Sequence, residues 1–332
     1  MEKKINVLFI IGRYFNDFSK EFGGTTREFY SIINAFKKSD EVDLEVCLDF
    51  DINKWEEYKK RYDVIHCEDN KIIKELLKKG LVPDVIGPTA KSPAKNEKAW
   101  NKWKKEGLNP LDYYKAIVVR NNQSEERING LWENIEYIKL GVDTKELSFS
   151  NNTPKRWVLW AGDICRDAKN FKMFMEIMET TNLPNGYNWK VLSGYTLQHY
   201  IQTLHHTALL VNTSKNETFC FAMFEANSIG VPSIYPRGLH NPVGHKAQKE
   251  FHKNKRIQVE YNVPSFKKAI EELLSDDAKL EQERISTRKY VVKNASYQTL
   301  RESFTEVYKK VYISKNAKKP LSERFIKDTK PL

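Results

Sequence analysis

Two glutamates, Glu217 and Glu225, stand eight residues apart around the mostly apolar segment ETFCFAMFE. A carboxylate buried without a partner is costly, so each of them either reaches solvent or holds something. Carboxylates accept paired hydrogen bonds from vicinal hydroxyls, which suits them to sugars. The alternative is that Glu217 is a charge at a helix N-terminus and Glu225 a solvated one, and the spacing taken alone favours this alternative.

Backbone groups beside Glu217 indicate phosphate chemistry. The segment NTSKNETFC follows an apolar strand, and the sequence predicts a helix that begins near Thr218. The N–H groups of Thr218, Phe219 and Cys220 would then be unpaired donors beside the positive end of the helix dipole. This geometry suits a phosphate group, so we predict a phosphate-binding helix start at this junction.

Strands and helices alternate along the chain, and this pattern predicts the elements that position these residues. Runs such as INVLFII (5–11) and WVLWAG (157–162) read as strands, and TTREFYSIINAFKK (25–38) is amphipathic at helical spacing. Such alternation predicts parallel sheets with crossover helices. The polar segment SFSNNTPKR (148–156) interrupts the pattern, so we place a linker between two domains there.

Two consecutive Rossmann-like domains are the economical α/β fold for this pattern. We expect an N-terminal domain over residues 1–150 and a C-terminal domain over residues 151–300. A C-terminal helix and basic tail, residues 301–332, is expected to return to the N-terminal domain. Ligands of such sheets bind at the carboxyl ends of the strands, so the predicted site is the cleft between the domains.

Composition narrows the class of protein. The 332 residues suit two domains, and 40% hydrophobic with 30% charged residues fits a folded, soluble chain. No apolar run approaches the roughly 20 residues that span a bilayer.

The four cysteines form no C-x-x-C pair and are interpreted as free thiols in a reducing compartment. His240 and His245 have no apparent third partner, so no metal site is predicted.

The net charge of +11 favours a polyanionic partner. Nucleic acid, an acidic membrane surface and a phosphorylated substrate all fit an excess of Lys and Arg over Asp and Glu. A lysine-rich composition with no functional meaning explains the charge equally well.

The residues around the two glutamates resemble a known signature. The pattern S-x-x-E-T-F-C-x-x-x-x-E-A-x-x-x-G-V-P-S, from Ser214 to Ser233, resembles the E-x7-E motif of retaining glycosyltransferases with the GT-B fold, in particular the family-4-like group. In that family the first glutamate contacts the donor sugar and the second the ribose of the nucleotide. The resemblance implies these roles for Glu217 and Glu225. Family members often have glycines around the first glutamate, where this chain has Thr218 and Cys220.

The segment AGDICRDAKNF (161–171) resembles the family's G-R-x-x-x-x-K-G, whose Arg and Lys neutralise the diphosphate. Asp163 occupies the usual arginine position, and Asn170 replaces the second glycine. A leaving diphosphate needs cations, so the resemblance implies that Arg166 and Lys169 supply them. The alternative is an ordinary charged loop.

Two segments of the first domain extend the resemblance. EFGGTTREF (21–29) resembles the N-terminal glycine-rich loop, which implies that Gly23 and Gly24 lie near the phosphates and the transferred sugar. YDVIHCED resembles D-V-V-H-x-H, whose second histidine lies against the donor sugar and corresponds to Glu68 here. The resemblance thus adds His66 and Glu68 to the catalytic candidates. A helix-start loop and a structural histidine are the simpler interpretations.

The resemblance implies a GT-B architecture, an acceptor domain followed by a nucleotide-sugar domain facing a central cleft. It implies a retaining hexosyl- or pentosyltransferase that uses a UDP- or GDP-sugar as donor and needs no cofactor or metal. We expect an envelope glycan or glycolipid as the acceptor. One alternative is a phage-type DNA glycosyltransferase acting on a hydroxymethylated base. The other is a non-catalytic module that binds sugar nucleotides or nucleic acid, against which both retained glutamates argue.

The region Lys91–Lys105, with Trp100 and Trp103 among its lysines, is the predicted contact for an anionic acceptor surface. Cations with aromatics suit a membrane glycolipid or DNA equally. Alternatively, the two tryptophans pack inward beneath a solvated lysine face. We expect a cytoplasmic protein without a transmembrane segment, located at the inner membrane face or on DNA.

Overall fold

The structure, a computed structural model, describes residues 3–12, 24–87, 105, 116–119, 135–138, 140–149, 155–215, 217, 219–237 and 257–317. Several predicted features lie outside the described residues: Gly23, Thr218, Trp100, Trp103, His240, His245, the region Lys91–Lys105 except Lys105, and the tail beyond residue 317.

The N-terminal part of the chain forms a six-stranded parallel sheet with helices between its strands. Its elements are β1 (Ile5–Ile10), α1 (Gly24–Phe36), β2 (Val42–Cys47), α2 (Trp55–Arg61), β3 (Val64–Cys67), α3 (Asn70–Lys78), β4 (Val85–Ile86), β5 (Ala116–Val119) and β6 (Ile135–Tyr137). The strands lie in the order β2-β1-β3-β4-β5-β6. Parallel pairing with changes of direction along the sheet defines a doubly wound fold.

The C-terminal part forms a second parallel sheet of five strands, in the order β11-β10-β9-β7-β8. Its elements are β7 (Trp157–Ala161), α4 (Phe171–Thr180), β8 (Asn188–Leu192), α5 (Leu197–His205), β9 (Thr207–Val211), α6 (Phe221–Ile229), β10 (Ser233–Pro236), β11 (Gln258–Val259), α7 (Val263–Leu274) and α8 (Asp277–Asn294). The helix α9 (Tyr297–Asn316) follows.

Burial of the strands explains why the apolar runs of the sequence form these sheets. All five residues of β9, TALLV, are buried, as are all four of β3 and of β10. Strands covered by helices on both faces are buried along their whole length and mostly apolar, as these are apart from Thr207, His66 and Ser233. The predicted α/β fold with two Rossmann-like domains is confirmed.

Two elements differ from the prediction. Helix α5 was not predicted, although Leu197, Tyr200, Ile201 and Leu204 have helical spacing. Helix α6 begins at Phe221, about one turn later than predicted. The cause is Cys220, whose φ of 60° is left-handed and cannot continue a right-handed helix.

The chain passes between the two sheets twice, first in the crossing segment around Val142 and again around Ser296, and the two crossings lie side by side. Val142 donates its N–H to the carbonyl of Ala295 at 2.9 Å, and Tyr297 donates to the carbonyl of Val142 at 3.1 Å. A Cβ at Gly141 would lie 2.3 Å from the carbonyl oxygen of Ser296, so only glycine allows this approach. The two crossings are therefore hydrogen-bonded to each other.

Arg288 of α8 ties the first crossing to the C-terminal end of α6. Its Nη1 donates to the carbonyl of Leu147 at 2.8 Å and to Ser228 Oγ at 2.7 Å. Its Nη2 donates to the carbonyl of Thr144 at 2.8 Å. One guanidinium thus bonds both the interdomain segment and the helix that carries Glu225.

Helix α9 packs against the N-terminal sheet and its helices. Phe304 lies edge-on to Phe36 with ring centroids 6.5 Å apart, and Lys315 Nζ bonds Asp84 at 2.8 Å. Within the described part of the chain, no helix combines the length and apolar character needed to cross a bilayer. The four cysteines are free thiols.

Candidate active site

Lys169 and Glu217 meet where β7 and β9 end. These strands are neighbours, with Leu159 paired to Leu210, so the loops after them lie side by side. Lys169 Nζ forms an ion pair with Glu217 Oε1. Ser214 Oγ donates to the same oxygen at 2.7 Å. The predicted diphosphate cation and the predicted sugar-orienting carboxylate are thus brought together at the carboxyl edge of the sheet.

Further hydrogen bonds hold these two loops against each other. Thr213 Oγ1 donates to the carbonyl of Lys169 at 3.0 Å and itself accepts from Trp160 Nε1 at 3.0 Å. Lys215 donates its backbone N–H to the carbonyl of Ala168 at 2.8 Å. These contacts use backbone groups and the uncharged side chains of Thr213 and Trp160, so they hold the two loops together without the charged side chains.

Lys169 is a protonated cation in this setting. Burial works to lower its pKa, but the Glu217 carboxylate outweighs this effect and raises the pKa above its usual range. Arg166 is exposed and stands on the same short turn, where its carbonyl accepts from the backbone N–H of Lys169 at 2.8 Å. The two predicted diphosphate cations therefore lie on one short turn, Lys169 paired with Glu217 and Arg166 exposed, and their contact with a diphosphate stays a prediction.

Two non-glycine residues of the described chain have positive φ, Asn170 at 50° and Cys220 at 60°. They stand where the resembled family has its second loop glycine and one of the glycines around the first glutamate. Asn tolerates this conformation, whereas other residues are strained by about 1–2 kcal/mol. Both departures from the family pattern thus keep the backbone shape that glycine would adopt most easily.

Cys220 is held in that strained position by its surroundings. Its Sγ accepts from Asn212 Nδ2 at 3.1 Å. Burial raises the pKa of the Cys220 thiol to about 12, so the thiol is neutral. Phe219, just before it, is buried and stacks on Phe224 with ring centroids 4.4 Å apart. The buried side chains of Phe219 and Cys220 therefore anchor the start of α6 to Phe224 and Asn212.

Glu225 pairs with a residue that sequence reasoning did not single out. Arg27 of α1 donates from Nη1 to Glu225 Oε2 at 2.7 Å, and each side chain is 8% exposed. The Arg27 guanidinium also lies 5.7 Å from the ring centroid of Tyr200 and hydrogen-bonds Tyr195. The second glutamate of the motif is thus buried in an ion pair between the two halves of the molecule.

His66 and Glu68 lie inside the N-terminal half. His66 is fully buried, with Nε2 2.5 Å from the carbonyl of Gly87 and Nδ1 2.9 Å from the Tyr308 hydroxyl. A carbonyl only accepts, so Nε2 carries the proton and Nδ1 accepts from Tyr308. Burial lowers the pKa of His66 to about 4, which makes it neutral.

His66 bonds Tyr308 of α9 and Gly87, which follows β4. Because it connects these two elements, a structural role is favoured for His66. Glu68 is also buried, and its Oε1 lies 3.5 Å from His66 Nε2. A sugar contact for His66 or Glu68 stays a prediction. Gly24 begins α1, as the glycine-rich loop requires, and its approach to phosphate likewise stays a prediction.

Among the described residues, no group of three or more His, Cys, Asp or Glu side chains is arranged to hold a metal ion.

A second glycine of the N-terminal half, Gly12, follows β1 with φ 72°, and a Cβ at this position would lie 2.0 Å from Asp69 Oδ2. This close approach at the carboxyl edge of the sheet was missed, because a lone glycine after a strand is a weak signal.

The sequence matches no protein-family model and no curated protein. Solved structures do match the fold. Sucrose-phosphate synthase from Thermosynechococcus elongatus aligns with a TM-score of 0.66 at 12% identity, over 94% of this chain and 100% of that one. WaaG, a glycosyltransferase involved in lipopolysaccharide biosynthesis, aligns with a TM-score of 0.57 at 12% identity, over 91% and 99%.

A third similar structure is an alpha-glucosyltransferase in complex with UDP and a 13-mer DNA containing an HMU base. It aligns with a TM-score of 0.53 at 12% identity, over 92% of this chain and 100% of that one. At this level of identity the likeness concerns the fold. It confirms the predicted GT-B architecture of two Rossmann-like domains facing a cleft.

Proposed function

We propose that the protein is a glycosyltransferase that moves a sugar from a UDP- or GDP-sugar to an acceptor hydroxyl with retention of configuration. The observation that carries the proposal is the meeting of Lys169 and Glu217 at the carboxyl ends of β7 and β9 in a GT-B fold. A cation beside a carboxylate offers one partner to a diphosphate and one to sugar hydroxyls. The UDP in the similar DNA glucosyltransferase supports UDP as the nucleotide.

The donor is assigned to four side chains. Arg166 and Lys169 hold the diphosphate, Glu217 orients the transferred sugar, and Glu225 accepts from the ribose hydroxyls. A lysine ammonium on its flexible stem turns from Glu217 to the incoming diphosphate. Glu217 then has an oxygen available for sugar hydroxyls, while Ser214 at 2.7 Å keeps the carboxylate in place.

The transfer itself needs no covalent enzyme intermediate. The acceptor oxygen forms its bond to the anomeric carbon on the same face from which the diphosphate oxygen leaves. The acceptor proton passes to the leaving diphosphate, whose developing charge Arg166 and Lys169 stabilise. Ser214 holds the Glu217 carboxylate by a hydrogen bond of 2.7 Å, and the sugar hydroxyls take the remaining capacity of the carboxylate, which favours an orienting over a nucleophilic role.

A screen of thermal unfolding against UDP- and GDP-sugars tests the donor. A ligand that binds only the native state at 100 times its Kd stabilises it by about 2.7 kcal/mol, so the true donor raises Tm. Slow release of free nucleotide from that donor then demonstrates turnover. Stabilisation without nucleotide release would favour the non-catalytic module, and no stabilisation by any donor would contradict the proposal.

For the acceptor we propose an envelope glycan or glycolipid. The similar structure of WaaG, from lipopolysaccharide biosynthesis, supports this use of the fold. The proposed contact is the region Lys91–Lys105 with Trp100 and Trp103, in the part of the chain assigned to the acceptor. Cations and aromatics there suit an anionic membrane surface.

The second candidate acceptor is DNA with a hydroxymethylated base. A similar structure holds DNA with an HMU base, and the net charge of +11 suits a polyanion. We expect that the two candidates separate in binding to anionic vesicles and to hydroxymethylated duplex DNA between 50 and 200 mM salt. DNA binding that falls about 10³-fold or more over this range, together with sugar transfer to the duplex, would establish the DNA enzyme. Vesicle binding without either result would establish the glycolipid enzyme.

A further inference from the structure

Arg27 connects the two halves of the molecule at Glu225. Arg27 lies in α1, just after the glycine-rich loop, and Glu225 lies in α6, 198 residues further along the chain. Their contact, Nη1 to Oε2 at 2.7 Å, is almost completely removed from water. Neither half alone contains the pair, so the environment of Glu225 depends on the packing of the halves.

The contact with Arg27 occupies only one of the two carboxylate oxygens of Glu225. Among the described residues, the one hydrogen bond that Glu225 receives is the bond from Arg27 to Oε2. Glu225 and Arg27 line a cavity of about 30 Å³ together with Tyr30, Ser31 and Tyr297. That volume holds about one water molecule. Oε1 is therefore the oxygen with capacity for a ligand hydroxyl.

We propose that Arg27 is a positioning residue that keeps Glu225 ionised and oriented, so that Oε1 accepts the ribose hydroxyls of the donor. This inference rests on the proposed function through the role of Glu225. Because Arg27 belongs to the other half of the molecule, a competent ribose site exists only while the two halves are packed together.

Charge explains why Glu225 needs Arg27. Burial raises the pKa of Glu225, and the Arg27 guanidinium opposes that rise. Burial works to lower the pKa of Arg27, but Glu225 and Tyr195 outweigh it, so Arg27 stays charged. The other ionisable groups that face Glu225 or its cavity, in the described part of the chain, are Tyr30 of α1, Asp143 and Glu146 of the crossing segment, Tyr195, Tyr200 of α5, Cys220 just before α6, and Tyr297 of α9.

None of those groups supplies a positive charge, so within the described chain Arg27 is the cation that keeps the carboxylate ionised. A protonated Glu225 has one oxygen that donates and loses part of its capacity to accept from two vicinal hydroxyls. Losing Arg27 should therefore weaken the ribose contact in proportion to the fraction of Glu225 that is protonated.

The opposite role for Arg27 is a competitor that must leave Glu225 before ribose enters. The two roles predict opposite signs. Removal of a positioning residue weakens donor binding, whereas removal of a competitor strengthens it. The direction of change in Kd for the donor therefore decides between them.

The test measures the Kd of UDP-glucose and of GDP-mannose by calorimetry between pH 6 and pH 8.5. The proteins are the wild type, Arg27→Met, Arg27→Lys and the control Arg61→Met. Arg61 forms an exposed pair with Glu45 at 2.7 Å and has no part in the site, so its loss should leave Kd unchanged. Nucleotide sugars carry no phosphate group that titrates in this range.

We expect Arg27→Met to weaken donor binding about tenfold or more at pH 6 and progressively less as pH rises. Each pH unit below the pKa of a required carboxylate reduces the ionised fraction about tenfold. The wild type should be nearly independent of pH, and Arg27→Lys should restore much of the affinity because it restores the charge. A weakened but pH-independent Arg27→Met, or one that binds more tightly, would overturn the proposal.

A second readout does not depend on any ligand. In Arg27→Met the folded-state pKa of Glu225 lies above its unfolded value, so the stability present at low pH is lost as pH rises towards that pKa. Urea unfolding should show this loss in Arg27→Met and not in Arg27→Met/Glu225→Gln, where the amide cannot ionise. Equal pH dependence in the two variants would refute the charge-holding role.

The two readouts separate the two hypotheses. If the wild type binds neither donor while the stability difference is present, the proposed function is contradicted and Arg27 still keeps Glu225 ionised. If the wild type binds a donor and the variants show no pH dependence, the proposed function stands and the role of Arg27 is wrong.

Discussion

At the scale of single residues, the site combines a charged pair with a backbone shape that is unusual for its residue types. Lys169 and Glu217 are partly buried, at 22% and 12% side-chain exposure, and neutralise each other before any ligand is present. The two loops that carry them include Asn170 and Cys220 at positive φ. The charged pair leads to a prediction about Glu217, and the positive φ leads to a prediction about Cys220.

Glu217→Gln should reduce sugar transfer strongly while the fold survives. The amide keeps the shape of the side chain, but it removes the charge that pairs with Lys169 and one of the acceptors for sugar hydroxyls. We expect turnover to fall by about 10²-fold or more, the size found when a charge-stabilising group is removed from an active site. Initial rates of nucleotide release measure it, with circular dichroism as the folding control. Unchanged turnover would remove Glu217 from the mechanism.

Cys220→Gly should be more stable than Cys220→Ala. Both variants lose the thiol and its contact with Asn212, so their difference isolates the backbone. At φ 60° alanine is strained and glycine is not, which favours the glycine variant by about 1 kcal/mol. Midpoints of urea unfolding compare the two. The usual order, with alanine more stable, would show that the left-handed conformation is not required.

At the scale of elements, α6 is the helix that the site depends on. Its first residues follow the loop of Glu217, its second turn carries Glu225, and its C-terminal end is bound by Arg288. Gly230 closes it at φ 86°, where a Cβ would lie 2.2 Å from the ring of Phe149. The helix is thus held at both ends by segments from elsewhere in the chain.

Arg288→Met should destabilise the protein by about 1–3 kcal/mol. The variant keeps the apolar stem but removes the charged donor from the carbonyls of Thr144 and Leu147, and hydrogen bonds from a charged group contribute about 1.5–3 kcal/mol; Ser228 Oγ still donates to the Leu147 carbonyl at 3.0 Å, which limits the loss. Urea unfolding measures the change. Lys289→Met on the exposed face of the same helix is the matched control, expected to change stability by less than about 0.5 kcal/mol. Equal effects of the two variants would contradict the contact.

The elements themselves were largely predictable. Strands such as INVLFI and TALLV are apolar runs of strand length, and helix α1 has helical periodicity, so local pattern was sufficient. Helix α5 has the same periodicity in Leu197, Tyr200, Ile201 and Leu204, but the polar residues between them weaken the pattern. The sequence predicts the start of α6 about one turn too early, because nothing in the letters TFCF indicates that Cys220 takes a left-handed conformation.

At the scale of the whole molecule, the described part of the chain shows three contacts that join the two halves. The crossing segments bond each other at Val142, helix α9 returns to the N-terminal sheet through Phe304 and Tyr308, and Arg27 bonds Glu225. The first two contacts are remote in sequence from the E-x7-E motif, while the third involves Glu225, the second glutamate of that motif. We therefore expect binding of the donor and packing of the two halves to be coupled through Arg27.

The sequence by itself determined the alternation of strands and helices and the eight-residue spacing of Glu217 and Glu225. These are local properties of the chain. The resemblance to GT-B glycosyltransferases adds the residue types around the two glutamates, and the structure confirms the GT-B fold that it implies. Only the tertiary structure decided which partners the glutamates take. Lys169 is 48 residues from Glu217 and Arg27 is 198 residues from Glu225. Contacts over such distances depend on how sheets and domains pack, which no local pattern in the chain encodes.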